Sequence, residues 1–222
     1  MRQVILIASL AALAAPALGQ AHLVPSPSPY AELRDTYNAD EARVIPRLFH
    51  YVYGTDVAAR LIAFPNMAQE YAVAILAHGG QYSVRVLRQE AMPAHRHRPY
   101  ATRRLRLADL LDAVRVVKSD CALPPMLGGR LADAWRKAVF RTHYDPVPKG
   151  TVVVTGDGDT YDFSTRGESG QISGTVWSPP PDSEAGLLVA TADLLRDYCP
   201  GADPKALAEL DAKTAALEQA MP

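Results

Sequence analysis

Residues 70–90 constrain the fold more than any other stretch of this chain. Tyr71, Val73 and Ile75 alternate with smaller residues, His78-Gly79-Gly80 supplies a turn, and Tyr82, Val84 and Val86 alternate with Ser83, Arg85 and Leu87. A period of two on both sides of a glycine turn is the pattern of a β-hairpin with one buried face. Such a ribbon has to bury its apolar face against further strands or helices.

The remaining elements fall around it. Tyr30 opens a helical stretch, Pro46 kinks it or starts a new helix, and Leu48, Phe49, Val52 and Tyr53 form an apolar stripe that Gly54 ends. Leu107, Leu110 and Leu111 suit a short helix, and a strand then leads into Cys121. Pro124-Pro125 opens an amphipathic helix with Leu127, Leu131, Ala134, Trp135, Ala138 and Val139 on one face; Gly128 and Gly129 weaken its first turn. Residues 152–154, 160–164 and 171–177 read as strands. Ser183 caps a helix running to Tyr198, and Asp203-Pro204 caps and starts the last one. Hairpin-length connections dominate, so the fold class is α+β: one domain with a mainly antiparallel sheet of about five strands packed with amphipathic helices.

The beginning of the chain has a different character. Arg2, the apolar run from Val4 to Leu13 and the small residues around Ala17-Leu18-Gly19 make residues 1–20 a secretory signal peptide. Cleavage before Gln20 puts Ala17 and Gly19 at the −3 and −1 positions. Cleavage after Ala21 would instead make His22 the N-terminus, whose amine and imidazole together chelate copper. Residues 21–29 are rich in Pro and Ser and read as an extended linker, so the domain proper spans residues 30–222. No later apolar run is long enough for a membrane helix. The expected location is periplasmic or secreted.

An oxidising compartment permits a disulfide, and Cys121 and Cys199 are the only two cysteines. Neither belongs to a C-x-x-C unit, so a structural bridge is expected rather than a redox or metal pair. Closing a loop of roughly 80 residues stabilises a fold by about 4 kcal/mol in the chain-entropy view.

Four segments carry a resemblance. Glu70-Tyr71-Ala72-Val73 opens the hairpin, and Trp135 sits in the amphipathic helix. Asp157-Gly158-Asp159-Thr160-Tyr161-Asp162-Phe163-Ser164 leads into a strand, and Trp177-Ser178-Pro179 precedes the capped helix. In these, over residues 60–200, the chain resembles a group of uncharacterised exported proteins of Gram-negative bacteria. The resemblance implies one continuous domain behind a signal peptide; it implies no activity and no catalytic residues.

Charge is the remaining lead. The formal net charge is only −1, yet residues 85–118 hold nine arginines and lysines against three acids. Arg96, Arg98, Arg103, Arg104 and Arg106 form the candidate anion-binding group, suited to an anionic surface or an envelope macromolecule. Tyr100 is the one aromatic there, so base stacking and a nucleic-acid partner are not expected. His95 and His97 are spaced for zinc on a strand, but the surrounding arginines repel a cation. Asp157, Asp159 and Asp162 do not follow the EF-hand spacing and read as turn residues. No metal or other cofactor is expected. No G-x-S-x-G elbow, P-loop or dinucleotide fingerprint is present, so no catalytic residue is assigned. The expected function is non-enzymatic binding at the cell envelope. The alternative is a small periplasmic hydrolase that uses His50, His78 or His143 with a serine or carboxylate distant in sequence.

Overall fold

The hairpin organises the sheet. In the computed structural model, which describes residues 20–26, 47–66, 68–90, 115–144, 158–168, 170–199 and 201–221, strand β3 (Tyr71–His78) turns through Gly79 and Gly80 into β4 (Gln81–Glu90). The two glycines have φ of 57° and 77°. A two-residue turn needs that left-handed backbone to match the twist of its strands, and glycine adopts it without steric cost.

Five further strands join the hairpin: β1 (Val24–Pro25), β2 (Val57–Phe64), β5 (Arg115–Leu123), β6 (Thr160–Gly167) and β7 (Gly170–Trp177). The strand order is β1-β7-β6-β2-β3-β4-β5 and every pairing is antiparallel. Helices α1 (Pro125–Phe140), α2 (Glu184–Tyr198) and α3 (Pro204–Ala220) complete the α+β domain. Helix α1 carries the chain from edge strand β5 back across one face, which lets β6 enter beside β2 in the middle of the sheet.

Among the described residues, seven strands stand where about five were expected. Both additions have a physical reason. β2 is buried on both faces, so its sequence Val-Ala-Ala-Arg-Leu-Ile-Ala-Phe is a near-continuous apolar run rather than an alternation. β1 is two residues long and lies in the Pro/Ser-rich stretch, where proline is tolerated because the strand is at an edge.

The hairpin, too, has more than one buried face. Val73, Ile75, Val84 and Val86 face the helices, in a core with Leu61, Phe163, Trp135, Leu188 and Leu195. Ala72, Ala74, Leu76 and Leu87 face the opposite side, where Leu48, Phe49 and Val52 cover them together with Ile62. The small residues of the alternation are small because this second layer packs closely on them.

The helix signals translate directly. Leu127, Leu131, Ala134, Trp135, Ala138 and Val139 are all buried in α1, and the Trp135 ring meets Phe163 at 5.4 Å between centroids. Gly128 has a packing role: a methyl group there would overlap the Tyr82 side chain, so its absence lets α1 lie against β4. Ser183 Oγ accepts from the Gly186 N–H at 3.0 Å at the start of α2, and Asp203 Oδ1 accepts from the Lys205 N–H at 3.0 Å at the start of α3. Cys121 on β5 and Cys199 after α2 form the expected disulfide, with Cα atoms 5.3 Å apart.

Residues 20–26, part of the stretch read as leader end and linker, lie beside β7, with a bend at Ala21–His22 before strand β1. The Gln20 N–H donates to the Trp177 carbonyl at 3.1 Å, the Ser26 N–H donates to the Ser173 carbonyl at 3.3 Å, and Leu23 is buried. The signal residues 1–19, the rest of the linker, the helix expected near Leu107 and the strand expected at 152–154 lie outside the described residues.

Candidate functional site

Arg96, Arg98, Arg103, Arg104 and Arg106 lie outside the described residues, as do His95, His97 and Asp157. Three other polar groupings, assembled from distant parts of the chain, are described.

The first stands at the end of the sheet where β3 begins. Tyr71, Ala63 and Tyr161 are register partners across β3, β2 and β6, so the two phenols flank a small residue on the helix-facing side. The Tyr71 hydroxyl donates to Asp193 Oδ1 at 2.6 Å, and Arg196 reaches the same carboxylate at 2.7 Å with its guanidinium 4.7 Å from the Tyr71 ring centroid. Arg196 also bonds Asp197 at 2.9 Å, and Arg88 donates to the Arg196 carbonyl at 2.5 Å near the end of α2. The Tyr161 hydroxyl donates to Asp159 Oδ2 at 3.3 Å, and Asp159 Oδ1 accepts from the Asn66 N–H at 2.9 Å. Burial, reinforced by Asp193, pushes the Tyr71 phenol far above its usual range; burial and then Asp159 do the same for Tyr161. Both phenols are therefore protonated donors at neutral pH, unsuited to act as bases. A cleft of about 220 Å³ between Tyr71, Arg88, Arg196 and Glu70 opens here. Its arginines are already matched by carboxylates, so the grouping clamps α2 onto the sheet.

The second is buried on the opposite face. Arg60 is 2 % exposed and lies 3.9 Å over the centroid of the Tyr53 ring, and Asp162 is 3 % exposed. Ile62 is the partner of Asp162 and Ser164 that of Arg60, so Arg60 and Asp162 are diagonal neighbours on one face. Burial lowers the Arg60 pKa, while electrostatic interaction with the Tyr53 phenol and with Asp162 opposes that shift. A charge so placed is retained because its counter-charge is beside it. Asp159 and Asp162, grouped in the sequence, thus serve different places, and Asp159 is occupied by protein donors.

The third lies at the C-terminal end of α1. Arg136, Lys137 and Phe140 of α1 with Arg166 and Gly167 at the end of β6 and Glu168 of the turn after it line an open cleft of about 350 Å³. Arg136 bonds Asp133 at 2.8 Å. Among the described residues, Lys137, Arg141 and Arg166 form no salt bridge, and Phe140 is 54 % exposed. The negative pole of the helix favours Lys137 and Arg141 at this end, and Glu218 lies within electrostatic reach of Lys137. Cations that form no salt bridge among the described residues, beside an exposed ring, suit an anion with an apolar part. Arg136, Lys137 and Arg141 close together at the end of an amphipathic helix were the available signal, but Arg166 joins them only through the fold.

The histidines considered for hydrolysis do not converge. His50 Nδ1 faces the Arg47 carbonyl at 2.8 Å, His143 Nδ1 faces the Arg141 carbonyl at 3.0 Å, and His78 is exposed at the hairpin turn. The His143 ring stacks on His22 at 3.8 Å with 6° between planes. Among the described residues, none of His50, His78 and His143 bonds a serine or a carboxylate, no group of three metal-ligating side chains is present, and no helix is long and apolar enough to cross a membrane.

Comparison with protein-family models, with curated proteins and with solved structures finds no match to this chain.

Proposed function

We propose that this chain is an exported, non-enzymatic binding domain that engages an anionic component of the cell envelope, and that the basic end of α1 takes part in the contact. The observation that carries the reading is the open cleft where Lys137 and Arg166, which form no salt bridge among the described residues, border the exposed Phe140. Phosphate-bearing lipid surfaces supply what these groups lack: negative charge for the cations and an apolar layer for the ring. The disulfide and the signal-like leader agree with a location outside the cytoplasm.

The test is co-sedimentation with vesicles of anionic phospholipid against vesicles of zwitterionic phospholipid. Binding to the anionic vesicles at low salt, weakening as ionic strength rises, is the expected result. Each basic residue near such a surface contributes about 1 kcal/mol, so Lys137→Ala, Arg141→Ala and Arg166→Ala together should weaken binding by about two orders of magnitude. Equal retention on both vesicle types, or an unchanged affinity in the triple variant, refutes the assignment of this cleft.

A further inference from the structure

We propose that Gln20 becomes the N-terminal residue on export and is closed to pyroglutamate, the lactam form in which it caps the sheet. The inference rests on the reading of residues 1–19 as a leader. Ala17 and Gly19 provide the small residues that a cut before Gln20 requires.

The hydrogen bonds of Gln20 make the case. Its backbone N–H donates to the Trp177 carbonyl at 3.1 Å, and its side-chain Oε1 accepts from the Trp177 N–H at 2.8 Å. In an ordinary antiparallel pair both groups facing Trp177 would belong to the backbone. Here the acceptor is the side-chain amide, so the main-chain nitrogen and Oε1 point the same way, toward one residue. A five-membered lactam holds its N–H and C=O on adjacent ring atoms in that same relation, and both bonds persist after ring closure.

The surroundings favour a neutral group. The Ala185 N–H, in the first turn of α2, donates to the Ala21 carbonyl at 3.3 Å, which sets the chain start near the positive end of that helix. An α-ammonium group is disfavoured there and an uncharged lactam is not. Cleavage after Ala21 would remove all three of these hydrogen bonds, which speaks for the cut before Gln20 over the one that exposes His22. The step balances without a co-reactant. The α-amine attacks the side-chain carbonyl carbon, the N–C bond of the ring forms, and the carbon–Nε2 bond breaks. Nε2 departs as ammonia with the proton shed by the amine.

The experiment is mass spectrometry of the N-terminal peptide from full-length chain expressed with its leader in a Gram-negative host and recovered from the periplasm. The proposal expects a peptide starting at residue 20, lighter than free Gln by one ammonia and inert to an amine-reactive label. The Gln20→Asn variant should start at the same residue and take the label. A peptide starting at Gln20 with ammonia retained overturns the cyclisation while leaving export intact, as does a start at His22. A start at Met1 in the recovered protein overturns the leader reading as well.

Discussion

Two adjacent glycines in α1 differ in what they touch. A Cβ on Gly128 would collide with the Tyr82 side chain, whereas one on Gly129 would come no closer than 3.7 Å to it. Replacing glycine by alanine inside a helix gains up to about 1 kcal/mol, and overpacking costs about 1–3 kcal/mol. Gly128→Ala should therefore lower stability by up to about 2 kcal/mol, while Gly129→Ala should raise it by up to about 1 kcal/mol. Denaturant midpoints of the two variants check this, and a rise for Gly128→Ala would show that α1 can shift on the sheet. Nothing in the local sequence separates these positions, because the difference lies in a side chain more than forty residues away. Ser183 and Asp203 are the opposite case: an N-cap acts within its own turn, and both were readable from their neighbours alone.

Among the elements, pairing of β4 with β5 carries a charged contact whose pH dependence has a definite sign. Arg85 and Asp120 are register partners, joined by two bonds of 2.8 and 2.9 Å. Hydrogen bonding from Arg85 holds the Asp120 carboxyl below its ordinary value, with burial opposing. A carboxyl depressed in the folded state adds stability above its unfolded pKa and loses it as pH falls through the folded one. The wild type should thus lose stability more steeply below about pH 4 than an Arg85→Met variant, in which Asp120 keeps only Lys118 to hold its carboxyl down. Parallel acid limbs in urea titrations of the two proteins would contradict this. At this scale the hairpin, α1, α2 and α3 were legible because each shows one buried face or a local cap. β2 was not, since a strand covered on both sides has no alternation to read, and Arg60 within it looks like a surface residue until its partner Asp162 is seen on β6. The three polar groupings were hidden for the same reason: Tyr71 meets Asp193, and Lys137 meets Arg166, only after the sheet is assembled.

For the whole molecule, the disulfide joins an edge strand to the end of α2 across a sequence separation of 78. Opening it restores freedom to the unfolded chain, and a loop of that size corresponds to about 4 kcal/mol in the chain-entropy view. Reductant, or Cys121→Ser with Cys199→Ser, should lower the denaturant midpoint by an amount of that order, with α1 helicity retained in the native baseline. No change on reduction would mean that packing alone holds α2 in place.

The edge formed by Gln20–Ser26 has a consequence in time. A ribosome delivers these residues early, yet their partners on β7, Ser173 to Trp177, come about 150 residues later. Until that late stretch arrives, the opening segment has no strand to pair with and the sheet stays unfinished on that side. Most of the polypeptide must therefore emerge before this edge of the sheet can close.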